Sequence, residues 1–265
     1  MKKDDFLLTD DSKIIKKHLR QFYDNEAEKY YNTRQKYWKD AEYLLQEIQS
    51  TGLKKIKILE FWCGWWRFIK YLHEHFDGEI EYIGIDLSSE LLKFAKKDNP
   101  NDTFICNDIF KEIINYEQES FDFIVGTSSF QHIPSYKERL FLMKHFYRIL
   151  NYGGKVLMLN RTYSDRLIKK YKKAVRQAKF KRLLSFGKYS KRDIEIPWKN
   201  KKGETTYRFY HFLDKKEYTN LVHYSGFTIK KMEYLDNDGQ ITPEEKASKS
   251  SLFIAEKIPF LQEEK

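Results

Sequence analysis

The chain has 265 residues, 17% of them aromatic, and a formal net charge of +10. That length fits one domain with insertions and a substantial core, and is short for two full domains. Cys63 and Cys106 are the only cysteines, which excludes a disulfide-stapled scaffold. No apolar run approaches the length of a membrane-spanning helix, so no membrane partner is expected. Met1 to Arg20 is charged throughout and lacks the apolar stretch of a secretory leader, and the expected location is the cytoplasm. The excess of Lys and Arg suits an anionic partner, or equally reflects a plain bias toward Lys.

From Ser12 to Ser50 the chain has neither Pro nor Gly, and Leu19, Phe22, Tyr23, Ala27, Tyr30 and Tyr31 share helical faces as packing residues. The first strand is Lys57 to Phe61, followed by a loop and a helix over Arg67 to Phe76. Glu81 to Asp86 is the second strand, and Ser88 caps a helix over Ser89 to Lys97. Thr103 to Cys106 and Phe121 to Val125 are the third and fourth strands. A helix over Lys137 to Leu150 stops at the glycine signal Asn151-Tyr152-Gly153-Gly154, and Lys155 to Asn160 is the fifth strand. A helix over Lys215 to Ser225 and strands at Phe227 to Leu235 and Ser251 to Lys257 complete the pattern. The polar connection Asp236 to Lys249 and the tail Gln262 to Lys265 have the composition of disordered segments.

Strands alternating with helices predict an α/β fold, a Rossmann-like, seven-stranded, mostly parallel sheet with helices on both faces. Four regions follow: an N-terminal helical extension over 1–50, a core over 51–163, a basic insertion over 164–212, and the last strands of the core over 213–265. Between Ser164 and Lys202 stand fifteen Lys and Arg against three acids.

A strand, a glycine turn and a helix bring backbone N–H groups against a ligand, and an acid ending the next strand suits ribose hydroxyls. Asp86 ends the second strand in that place. Asp108 follows the third strand, where an acid can accept from an adenine amino group or serve as an ordinary loop acid. His73 and His75, without Cys partners nearby, do not make a zinc site, and no metal is expected.

Leu59-Glu60-Phe61-Trp62-Cys63-Gly64-Trp65-Trp66-Arg67, Gly84-x-Asp86-Leu87-Ser88, Phe121-Asp122-Phe123-Ile124 and Leu150-Asn151-Tyr152-Gly153-Gly154-Lys155 resemble the motifs of class I S-adenosylmethionine-dependent methyltransferases. The resemblance extends from about Tyr23 to Lys257. It implies S-adenosylmethionine as cofactor, with contacts from Glu60, Trp62, Cys63, Gly64, Trp65, Trp66, Asp86, Leu87, Asp108, Ile109 and Thr127.

The family has glycine where this chain has Trp62, Trp65 and Trp66. Glycine there permits a positive φ and a close approach of backbone to ligand, whereas an indole fills the same volume. The tryptophans therefore fit a degenerate pseudo-methyltransferase, a loop remodelled for stacking, or UGA codons of a lineage that reads UGA as glycine. Three of the chain's five tryptophans fall in this window while the surrounding motifs are intact, which favours the codon explanation.

Acceptor chemistry belongs beyond the fourth and fifth strands. His132, in Gly126-Thr127-Ser128-Ser129-Phe130-Gln131-His132, is a candidate there, catalytic or structural. Ile196-Pro197-Trp198-Lys199 and Tyr207-Arg208-Phe209-Tyr210-His211 resemble elements of the tRNA methyltransferases that esterify wobble carboxymethyl-uridine. That resemblance implies a tRNA partner along the basic insertion and catalytic-site roles for Arg208 and His211, with Arg208 gripping a carboxylate or phosphate. A small-molecule O- or N-methyl acceptor is the alternative.

Overall fold

The computed structural model of the chain describes residues 10–33, 37–64, 67–184, 190–199 and 203–259. Trp65, Trp66 and the tail Gln262 to Lys265 lie outside the described residues. The N-terminal extension is two helices, α1 (Asp10–Thr33) and α2 (Ala41–Gln49). The core then alternates β1 (Lys55–Phe61), α3 (Arg67–His75), β2 (Glu79–Asp86), α4 (Ser89–Asp98), β3 (Thr103–Cys106), α5 (Ile109–Glu112), β4 (Phe121–Thr127), α6 (Tyr136–Ile149) and β5 (Leu150–Arg161). The basic region folds as α7 (Asp165–Lys170), α8 (Lys172–Leu184) and the strands β6 (Asp193–Lys199) and β7 (Thr205–His211). The chain closes with α9 (Lys215–Ser225), β8 (Thr228–Leu235), β9 (Ile241–Thr242) and β10 (Ser250–Glu256).

The main sheet has the order β3-β2-β1-β4-β5-β10-β8-β9, while β6 and β7 pair apart from it as an antiparallel ribbon. Neighbours from β3 to β5 run parallel, and β10 enters antiparallel to both β5 and β8. The architecture is the α/β sheet expected, with eight strands where the sequence pattern predicts seven. The extra one is the two-residue β9, formed inside the polar connection expected to be disordered. That connection is tied down locally, because Asp236 accepts the N–H groups of Asp238 and Gln240 and so closes a side-chain-capped turn.

A second difference lies at Gly153-Gly154. Helix α6 ends at Ile149 with Leu150 already extended, and β5 starts there rather than at Lys155. Gly153, at φ 79°, serves a bend in the strand, where its N–H donates to the Lys257 carbonyl at 2.7 Å.

Alternation along β1 explains the layering. Ile56 and Ile58 enter the apolar cluster shared with α2, α3 and α4, while Leu59 and Phe61 enter the opposite cluster with α6 and α9. The carboxyl half of β1, Ile58 to Phe61, is buried on both faces, which makes the acid Glu60 within it conspicuous. From β1 the neighbours go to β2 on one side and β4 on the other, so the crevice opens at the carboxyl ends of these strands. Among the described residues no helix is long and apolar enough to cross a membrane.

Candidate functional site

A cavity of about 640 Å³ opens at those strand ends, within the size range of small-molecule and cofactor sites. One end is formed by the turn between β1 and α3. Trp62 has φ 52° and Gly64 φ 62°, so two of its residues adopt the left-handed conformation. Glycine takes that conformation freely; for a tryptophan it costs about 1–2 kcal/mol. The Trp62 ring lies 6.2 Å from the His132 ring, and its buried Nε1–H has no acceptor among the described residues.

Asp86 organises this turn. One carboxylate oxygen accepts the Gly64 N–H at 2.8 Å and the other the Ser88 N–H at 2.8 Å. Burial lifts its pKa to about 6 against those two hydrogen bonds. Glu60 accepts the hydroxyls of Tyr82 at 2.7 Å and Thr127 at 3.1 Å, and burial first, then the charge of Asp86, pushes its pKa to about 7. Leu87, Cys63 and Thr127 complete this end of the wall.

Asp108 and Ile109 are placed differently. Asp108 caps α5, accepting the Phe110 N–H, and its other oxygen pairs with Lys16 of α1 at 3.0 Å. Ile109 is fully buried in the core, so its side chain serves packing.

At the other end, α1 and the β6–β7 ribbon close over β4 and β5. His132 donates from Nδ1 to the Phe209 carbonyl at 2.8 Å, which leaves Nε2 to accept from the Tyr23 hydroxyl at 3.3 Å. Burial, with the Arg208 charge adding to it, lowers the His132 pKa to about 3. Arg208 is 8% exposed and lies 5.0 to 5.4 Å from the rings of Phe22, Trp198 and Tyr210. It donates to the Tyr30 hydroxyl at 2.7 Å, while its buried Nε–H has no partner among the described residues. Burial opposes the Arg208 charge, but the surrounding phenols outweigh it and hold the proton more tightly than usual.

His211 sits elsewhere. Arg208 and His211 are three residues apart on β7, an odd spacing that puts them on opposite faces of the strand. Both His211 nitrogens are engaged, by Asp193 at 2.6 Å and Glu217 at 2.7 Å, and Glu217 also pairs with Arg139 of α6. The network fastens the ribbon to α9 and α6, away from the cavity wall.

Tyr23 and Tyr30, read from the sequence as packing residues before ligands, both line the cavity and bring hydroxyls to its wall. Arg161 and Lys249 also line it and carried no sequence signal.

The fold and this crevice resemble those of solved structures. A structure of S-adenosylmethionine-dependent methyltransferases from Methanosarcina mazei aligns with TM-score 0.60 at 19% identity, over 80% of this chain and 96% of that one. The structure described as a DhpI-SAM-HEP complex aligns with TM-score 0.62 at 15% identity, over 94% and 99%. At these identities the likeness is one of fold.

Residues 59–158 match the family described as methyltransferase domain. A malonyl-[acyl-carrier protein] O-methyltransferase of Ilyobacter polytropus is 33% identical over 161 residues, 57% of this chain and 56% of that protein. A carboxy-S-adenosyl-L-methionine synthase of Campylobacter hominis is 26% identical over 133 residues, 50% and 56% of the two chains. The chain thus spans about half the length of the curated relatives it matches. Residues 59–158 are similar to a methyltransferase domain, and the chain has the fold of the solved S-adenosylmethionine-dependent methyltransferases.

Proposed function

We propose that the chain is an S-adenosylmethionine-dependent methyltransferase that methylates a small-molecule acid at a carboxylate held by Arg208. The observation that carries the acceptor reading is the Arg208 guanidinium, buried on the cavity wall with its Nε–H unpartnered. A buried donor without an acceptor costs roughly 1–3 kcal/mol, and a planar carboxylate matches the guanidinium fork.

The donor set at the opposite end suits the cofactor. Asp86, which accepts the Gly64 N–H and lines the cavity, would take the ribose hydroxyls. Glu60 supplies a buried anion to a cationic ligand. At Gly64 a Cβ would meet no atom within 4 Å, so the turn leaves room beside it. Trp62 is the exception, because its ring takes up room in the same wall.

The cofactor supplies a methyl group already activated on a sulfonium. Arg208 would hold the acceptor so that a carboxylate oxygen forms the new C–O bond as the S–C bond breaks, leaving an ester and a neutral thioether. A carboxylate is already deprotonated at neutral pH, so no base is required. His132, with its lowered pKa and both nitrogens in hydrogen bonds, acts as a neutral strut. Rate then comes from positioning and from exclusion of water by α1. The O-methyltransferase relative supports transfer to oxygen.

The test is transfer from methyl-labelled S-adenosylmethionine to a pool of small carboxylic acids. The reading expects base-labile ester products whose yield falls at least about 100-fold in Arg208→Gln. Base-stable products, or undiminished yield in that variant, would contradict it.

A second reading, methylation of tRNA at a wobble uridine, is favoured by the exposed Lys169, Lys170, Lys172, Lys173, Arg176 and Lys179 of α7 and α8. It requires tRNA retention that weakens steeply with salt, since phosphate contacts release counterions. A third, a binding protein that has lost its cofactor, follows if the loop tryptophans are genuine.

A further inference from the structure

Strands β5 and β10 end side by side at the cavity. Ser250 stands opposite Arg161 in the antiparallel register, and the Thr162 N–H donates to the Lys249 carbonyl at 3.4 Å. Arg161 and Lys249, one on each strand end, therefore share one stretch of wall, and both line the cavity with Arg208.

The state of these cations sets them apart from the rest. Arg139, Arg148 and Arg192 each donate to backbone carbonyls, and Arg139 and Arg192 to carboxylates as well. On the cavity wall itself, Arg20 pairs with Asp24 at 3.6 Å and Arg67 stacks 4.1 Å from the Trp38 ring. Lys249 reaches Asp40 at 3.5 Å, a loose contact, and Asp40 also accepts from Ser250. The Arg161 guanidinium has no hydrogen-bond or ion-pair partner among the described residues, while its own backbone N–H is fixed by Gln131 at 2.6 Å. One acid against two cations leaves this patch with a net positive charge facing the cavity.

We propose that Arg161 and Lys249 form a second anion subsite, and that the acceptor is a dianion with one acidic group on Arg208 and the other on this pair. The inference rests on the reading of the chain as a methyltransferase of small acids. Arg208 is enclosed by aromatic rings, so it takes a planar group stripped of water. Arg161 is exposed, so it takes a group that stays hydrated, a carboxylate or a phosphate. Selectivity for diacids over monoacids follows, because a second charge is rewarded only where a cation waits for it.

Calorimetric titration of the full chain tests this with succinate, adipate and suberate against butanoate, hexanoate and octanoate, and with phosphonopropanoate to separate a carboxylate from a phosphate-like second group. At the matching length the diacid should bind at least about tenfold more tightly than the monoacid, and Arg161→Gln should bring that ratio close to one. Arg161→Lys, which keeps the charge, should restore part of it. A preference for phosphonopropanoate over succinate, itself removed by Arg161→Gln, supports the subsite and assigns it to phosphate. Equal binding of mono- and diacids, or a diacid preference that survives Arg161→Gln, overturns the subsite and leaves the Arg208 reading standing. Binding of none of the acids overturns both.

Discussion

The end of the cavity built by β1 and β2 is acidic and its carboxylates are satisfied, whereas the end built by α1, β5 and the β6–β7 ribbon is cationic, with guanidinium donors left open. At the first, Glu60 and Asp86 are buried with every described oxygen contact filled by a hydroxyl or a backbone N–H. At the second, the Arg208 Nε–H and the Arg161 guanidinium lack partners among the described residues. The two ends therefore suit ligands of opposite charge. Buried carboxylates whose ionised form is penalised, with pKa values lifted to about 7 and 6, are stabilised by a positive ligand. Guanidiniums with open donors welcome a negative one.

The largest effect should come from breaking the acidic end. Asp86→Ala removes the acceptor of both the Gly64 and Ser88 N–H groups, and cofactor affinity measured by titration should drop about 100-fold or more, at roughly 1.5–3 kcal/mol per charge-assisted bond. Unchanged affinity would detach the acid from the cofactor. On the cationic side, Arg208→Gln should lower kcat/KM for a carboxylate acceptor by about 100-fold, since truncating one partner of a buried charge pair costs about 2–5 kcal/mol. Cofactor affinity should barely move, and a parallel loss of it would merge the two ends into one unit.

Glu60→Gln sharpens the comparison through pH. The folded pKa of Glu60 is raised from 4.5 to about 7. Its favourable contribution is therefore complete below 4.5 and is lost as pH rises through about 7. The neutral glutamine should make the cofactor-free protein more stable than wild type by about 2–3 kcal/mol at pH 8, with the gap vanishing toward pH 4.5. The same variant should bind the cofactor less well. Denaturant melts at the two pH values check the first statement; no gap at pH 8 would contradict it.

Smaller still is the effect expected of His132. With a pKa of about 3, it stays neutral through the physiological range, so rates measured between pH 5 and 8 should show no limb belonging to it. A limb near pH 6.5 that disappears in His132→Asn would make it a titrating participant.

Much of the acidic end was legible in the sequence because its determinants are local. Asp86 follows an apolar strand, and Ser88 accepts the Leu91 N–H as an N-cap should. The positive φ of Trp62 agrees with a position that suits glycine. The cationic end was harder to read because it is assembled from afar. Arg208 meets Tyr30 across 178 residues, a separation over which periodicity carries no information. His211 was drawn to the site by its nearness to Arg208 in sequence, while strand parity sends it to the other face. Arg161 ends a strand in the manner of any solvated arginine, and only the register with β10 shows what stands beside it.

Titration of S-adenosylmethionine into the chain as written and into the triple variant Trp62→Gly, Trp65→Gly, Trp66→Gly probes the proposed cofactor site at the β1–β2 end, where the loop has tryptophan in place of glycine. Binding should be weak to the first and at least about tenfold tighter to the second, with Asp86→Ala abolishing the gain. Equal affinity of the two chains, or a tight-binding triple variant indifferent to Asp86, would contradict it.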